Sequence, residues 1–247
     1  MQEDVLSLVE IVRRIEDCAT EPFLCRCDDN ELYIVKGMPC LPRRQLIAEW
    51  ISAKLASFLK LSIPDSRVVY VDSAFTEFQP DWKRDLEEGY AFATQYIQNS
   101  FPITFSQAHQ RVPETTQKFI YLFDIWINNS DRTLAPSGLG NVNMLFNLLN
   151  DKYYLIDHNL AFDNDEHQIE FDSHVYCPTH RTWNFDWIDQ QEHEEQISNA
   201  MIFFEKAVLD IPDEWVLEDP VEHAAYINFM RETLRRVTDI RFWSNLS

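Results

Sequence analysis

The hydrophobic period of this 247-residue chain changes near residue 98. Upstream, apolar residues come in short runs broken by turn residues. Downstream of Pro113 they recur at helical spacing over long stretches. Strands gathered in one part and helices in the other predict an α+β fold of two lobes. Residues 1–97 would form a small β-rich N-lobe with one helix, and residues 98–247 a larger, mainly helical C-lobe.

The runs themselves are specific. Leu8 to Asp17 fits either a strand or a short helix, and the turn-prone CATEP (Cys18 to Pro22) follows it. PFLCRC and ELYIVK are separated by Asp28-Asp29-Asn30 and read as a β-hairpin, with Lys36 ending its second strand. Leu46, Ile47, Trp50, Ile51, Leu55 and Leu59 recur at helical spacing from about Arg43 to Leu59, ahead of the helix-breaking Pro64. Arg67 to Val71 reads as a strand, Pro80 to Glu88 as an acidic loop, and YAFATQYI as another strand. Then TTQKFIYLFDIWINN is helical, and the turn-rich DRTLAPSGLGNVNMLF leads into KYYLIDHNLAF. Two strong helical patterns follow Thr182.

Composition narrows the function. A formal net charge of −20 makes a broad electropositive face improbable, which disfavours nucleic acid and anionic membranes as partners. No run of about 18 apolar residues is present to span a bilayer. The first residues lack the basic start of a secretory signal, and the five cysteines are odd in number, which together predict reduced thiols in the cytoplasm. His174, Cys177 and His180 are spaced three apart, but no second pair completes a zinc site, so a polar loop is expected there.

Asp131, Asn143 and Asp157 carry the chemistry. Asp131 and Asn143 share a loop after a buried helix; Asp157 ends the apolar YYLI, one hairpin turn (Asn150-Asp151) further on. Such a strand pair brings the amide and the second carboxylate together. Phosphoryl transfer needs that set: oxygen ligands for Mg²⁺ and a carboxylate beside the attacking hydroxyl. Lys36 on a strand and Glu49 on the next helix supply the pair that positions non-transferred phosphates. Singly, each has a plain reading as a solvated strand-end lysine, a water-facing glutamate, a turn residue or a cap. Their joint order and spacing are what point to chemistry.

INNSDRT, GNVNML and YLIDHNLAF resemble the catalytic and metal-binding loops of HipA-like kinases and phosphatidylinositol kinases. ELYIVKG resembles the lysine strand of that family, and LIAEWISAKLASFLKLSIP its following helix. The resemblance implies one two-lobed kinase domain binding ATP and Mg²⁺, with Asp131 as catalytic base and Asn143 and Asp157 as metal ligands. Lys36, paired with Glu49, would hold the phosphates. Ala19 and Thr20 would lie in the phosphate-covering loop, and Gln95 and Tyr96 in the hinge strand that holds adenine. It further implies a protein Ser or Thr as acceptor, a toxin-like or regulatory role, and a small antitoxin or other regulator as cognate partner. Two departures stand out. CATEP contains no glycine, and Asn159 replaces the glycine that the family typically places after the metal-binding aspartate, an exchange that asparagine's tolerance of left-handed backbone would accommodate. Arg132 would orient the loop or bind an activating phosphate. The competing class is a pseudokinase-like acidic binding module using Asp163 to Asp172 as its contact surface. A helical scaffold with Asp131 and Asp157 as mere turn residues is the third.

Overall fold

Five strands of the N-terminal part close on themselves. Strands β1 (Leu6–Arg14), β2 (Phe23–Cys27), β3 (Leu32–Lys36), β4 (Ser66–Val71) and β5 (Gly89–Gln95) run in the order β1-β2-β3-β5-β4. A short parallel pairing of Leu6 with Val69 and Ser7 with Tyr70 closes the barrel. The computed structural model describes residues 5–16, 20–163, 171–244 and 246. Ala19, expected in the phosphate-covering loop, and most of the acidic tract after Asp163 lie outside these.

The ambiguous first run is a strand, because it finds an antiparallel partner in β2. The β2–β3 hairpin pairs Phe23 with Val35 and Arg26 with Leu32. Phe23, Cys25, Tyr33, Val35 and Val69 pack together in the N-terminal core. Helix α1 (Arg43–Phe58) follows β3. The acidic stretch expected as loop contains a one-turn helix, α2 (Pro80–Lys83), which starts at a proline, where the missing N–H would be unpaired in any case.

Beyond β5 come β6 (Ser100–Pro102), α3 (Phe105–Gln110), α4 (Glu114–Trp126), β7 (Met144–Asn147), β8 (Lys152–Leu155), α5 (Trp187–Leu209), α6 (Pro220–Arg235) and α7 (Ile240–Ser244). β6, β7 and β8 form a small antiparallel sheet. Asp186 caps α5 reciprocally with Asp189, and Asp219 caps α6 with Pro220 at its first position.

Tryptophans bind the parts into one core. Trp50, Trp126 and Trp215 are fully buried, each contributing on the order of 3 kcal/mol by burial. Their indole N–H groups donate to the carbonyls of Ala207, Leu234 and Tyr90 at 3.1, 2.8 and 2.9 Å. No described helix is long and apolar enough to cross a membrane. His174, Cys177 and His180 do not converge: His174 bonds Asp124, Cys177 contacts Thr179, and His180 packs on Phe105.

Candidate active site

Alternation along β3 turns Val35 into the barrel and Lys36 to the opposite side, toward α1. There the Lys36 ammonium donates to Glu49 Oε1 at 2.6 Å and to Asp157 Oδ1 at 2.7 Å. Glu49 is only 2% exposed, and a carboxylate so deep requires partners. Besides Lys36, its Oε2 accepts the His158 backbone N–H at 2.9 Å. One glutamate thus ties α1 to the β3 lysine and to the turn after β8.

Charge follows this geometry. Burial alone would lower Lys36, but Asp157 and Glu49 hold its pKa above the ordinary value, so it stays protonated. Burial would raise Asp157, yet Lys36 keeps that carboxyl below its usual range. Glu49 is pushed up by burial against the pull of Lys36.

The second group lies on the loop between α4 and β7. Asp131 Oδ2 accepts from Asn143 Nδ2 at 2.9 Å and from Asn141 Nδ2 at 2.6 Å. Burial raises the Asp131 pKa and Asp157 adds to the rise, while the two amides oppose it. The β7–β8 hairpin joins this group to the first. Met144 opposes Leu155, and the Ile156 N–H donates to Asn143 O at 3.0 Å, so Asn143 and Asp157 flank the same end of the hairpin. Both have left-handed backbone, φ 43° and 57°, which Asn and Asp tolerate better than most residues. Asn159 does not carry the left-handed turn anticipated for it. Asp157 takes that conformation, and the Asn159 side chain donates to Gln45 Oε1 at 3.0 Å.

Thr20 and Lys36 line one narrow recess with Cys40 and Asp85. Gln95 ends β5 opposite Tyr33, beside the lysine strand. The N–H groups of Gln95 and Tyr96 already donate to Asp65 O and Leu32 O at 2.8 Å each, so neither backbone N–H is free for a ligand. Lys36, Glu49 and Asp157 are therefore in direct contact, as are Asp131 and Asn143. Thr20 shares the recess with Lys36, and Gln95 and Tyr96 stand at the end of β5.

Beneath the loops is a charged group that the sequence reading missed. Asp124, fully buried on α4, bonds Arg132, Asn129 and His174. Its signal was present: a carboxylate inside the apolar run KFIYLFDIWI must have a partner. Burial would raise Asp124, but Arg132 and His174 hold it well below the usual carboxylate range. His158 is pushed down to about 3 by burial and by Arg132, so it is neutral.

The profile of the HipA-like kinase family matches residues 8–246. The chain belongs to that family. Among solved structures it is similar to a Helicobacter pylori proinflammatory kinase, CtkA, with a TM-score of 0.52 and 10% identity over 95% of this chain and 94% of that one. It also aligns with HipA of Shewanella oneidensis MR-1, solved with HipB and operator DNA (TM-score 0.44, 12% identity, 85% of this chain and 60% of that one). A Golgi casein kinase aligns at a TM-score of 0.40 and 13% identity, over 98% and 72%. No curated protein matches in sequence. The fold of this HipA-like kinase is the α+β kinase-like one, β-rich with one helix N-terminally and helical C-terminally, and family membership implies the use of ATP.

Proposed function

We propose that this HipA-like kinase transfers the γ-phosphoryl group of ATP, with Mg²⁺, to a protein serine or threonine, in a toxin-like or regulatory role. The observation that carries the reading is Lys36 bridging Glu49 and Asp157 at 2.6 and 2.7 Å, across 121 residues of sequence. Residues 1–97 and 98–247 would form the two lobes, with the nucleotide between them.

The donor set suits Mg²⁺. Asn143 turns its Nδ2 toward Asp131, which leaves the Asn143 Oδ1 for a cation, and Asp157 keeps Oδ2 beyond the oxygen bound by Lys36. Both are hard oxygen donors. Bound there, Mg²⁺ would neutralise charge on the ATP phosphates. Lys36 would turn its ammonium to the non-transferred phosphates while Glu49 keeps it in place. The carbonyls of Gln95 and Tyr96 would face adenine, and Ala19 and Thr20 would cover the phosphates. Asp131, its Oδ2 held by two amides, would present Oδ1 to the acceptor hydroxyl and take its proton as the oxygen attacks the γ-phosphorus. The new O–P bond forms as the bond to ADP breaks. An acidic chain favours a basic acceptor protein and disfavours a lipid surface. A cognate antitoxin or other regulator is the partner we propose; the Shewanella HipA was solved with HipB of the same toxin–antitoxin system.

One observation favours a second reading, a binding module without transfer: Lys36 is already paired with two carboxylates and the adjoining CATEP loop has no glycine to cradle phosphates.

Thermal unfolding with and without Mg²⁺-ATP tests the nucleotide site. At about 100 times its dissociation constant a ligand stabilises by about 2.7 kcal/mol, a rise of several degrees for a domain this size. The rise is expected to need Mg²⁺ and to vanish in Asp157→Ala. An unchanged melting temperature at millimolar Mg²⁺-ATP would sink the reading.

A further inference from the structure

Arg132 is 0% exposed, and all five of its N–H groups are used. Nε donates to Asp124 Oδ2 at 2.7 Å and Nη2 to Asp124 Oδ1 at 3.3 Å. Nη2 also meets His158 Nε2 at 2.9 Å, and Nη1 donates to the carbonyls of Asn143 and, at 3.3 Å, Ile156. Nothing is left for an activating phosphate, so that half of the expectation for Arg132 is set aside. Because an arginine only donates, the Nε2 of His158 must accept, which fixes the neutral tautomer with its proton on Nδ1.

The acceptors lie on three separate segments. Asp124 is on α4, Asn143 immediately precedes β7, and Ile156 and His158 flank Asp157 after β8. Asp124 is itself fixed by Asn129 Nδ2 at 2.7 Å and by His174 Nε2 at 3.0 Å, and His174 Nδ1 accepts the Tyr176 N–H at 3.0 Å. From this geometry we infer that Arg132 is a positioning residue: its planar fork sets the separation of Asn143 and Asp157, and through them the affinity of the site for Mg²⁺-bound nucleotide. The inference rests on the nucleotide reading above. A lysine keeps the charge and can reach Asp124, but it cannot bond four groups in one plane.

Calorimetric titration of ATP, with Mg²⁺ and then with EDTA, separates the metal-dependent gain in affinity from nucleotide binding as such. In folded Arg132→Lys the Mg²⁺-dependent gain should fall at least tenfold, while metal-free ATP affinity stays within twofold of wild type. His158→Leu, which keeps the Arg132–Asp124 pair, should lose part of the gain, and His158→Gln, which returns an acceptor, should recover it. Should Arg132→Lys fail to fold, the His158 pair decides. A folded Arg132→Lys with the full gain, or His158→Leu indistinguishable from wild type, would overturn the positioning role alone. No Mg²⁺-dependent gain in wild type would instead bring down the nucleotide reading, and this inference with it.

Discussion

At Asp131 the two carboxylate oxygens are unequal. Oδ2 is taken by Asn141 and Asn143 at 2.6 and 2.9 Å, which orients Oδ1 as the free acceptor. Asn141→Ala removes one of these bonds from an exposed position, so its effect is that of a single hydrogen bond, about 0.5–1.5 kcal/mol. Phosphate transfer should slow by about threefold to tenfold with Mg²⁺-ATP binding unchanged. A variant as fast as wild type would give Asn141 no part in orienting Asp131. Gly140 explains the path of this loop: its φ is 134°, and a Cβ there would lie 2.5 Å from the Thr133 carbonyl oxygen. The Lys36–Glu49 pair, and the closeness of Asn143 to Asp157 across a hairpin, were legible in sequence because charged and amide residues follow apolar runs there. Asn141 and His158 were not singled out. His158 adjoins Asp157 and Asn141 lies two residues before Asn143, and only the backbone path decides which of such near neighbours turns its side chain toward the site. Asp124 was passed over because hydrophobic spacing counts apolar residues and overlooks the one charge among them.

Helix α1 shows the same limit one scale up. Its spacing announced a helix, and the helix is there, but ten consecutive or near-consecutive residues from Leu46 to Ala56 are buried, Glu49 included. A period cannot reveal how many partners surround a helix. Here α5 and the turn Asp213–Trp215 pack on α1, with Trp215 edge-on to Trp50 and its indole N–H on Tyr90 O of β5. Arg43 and Arg44 add surface pairs to Glu218 and Glu222, worth little in water. The C-terminal segment thereby holds the helix that carries Glu49. Trp215→Ala should cost about 3–5 kcal/mol in denaturant unfolding, the range for large buried aromatics. It should also weaken ATP binding by loosening the Lys36–Glu49 pair. Full stability in that variant would show that α1 needs no C-terminal support. The parallel β1–β4 closure was likewise invisible in sequence, since it joins segments about 60 residues apart through two residue pairs.

Over the whole molecule, the division into a β-rich beginning and a helical remainder was readable because the hydrophobic period itself changes, and the α+β kinase-like fold follows it. The way charge is distributed through depth was not. Burial holds His109, His158, His174 and His193 below the ordinary imidazole range. His174 is the clearest, fully buried against Asp124, Arg132 and Arg181; burial lowers it, the Asp124 hydrogen bond opposes, and Arg132 and Arg181 add to the lowering. A base lowered in the folded state binds fewer protons there than in the unfolded chain. Its stabilisation is therefore complete above about pH 6.5 and declines as pH falls, by up to about 1.4 kcal/mol per pH unit for one such histidine. Between pH 7.5 and 5.5 ordinary carboxylates barely titrate, so the melting temperature should drop across that window, and His174→Gln should flatten the drop. A melting temperature that rises toward pH 5.5 would mean that protonation of the carboxyls that burial raises, Glu49 and Asp131, outweighs the histidines.

The most direct measurement of the central claim is release of label from γ-labelled ATP with Mg²⁺, onto Ser/Thr peptides, the protein itself or water, for wild type beside Asp131→Asn. Loss of a general base slows such a reaction by about 10²–10⁴-fold. The arrangement of Lys36, Glu49, Asp131, Asn143 and Asp157 predicts transfer by wild type, and a loss of that size in an Asp131→Asn variant that still gains stability from Mg²⁺-ATP. Transfer by the variant at the wild-type rate, or a wild type that binds Mg²⁺-ATP and never parts the γ-phosphate from it, would contradict it.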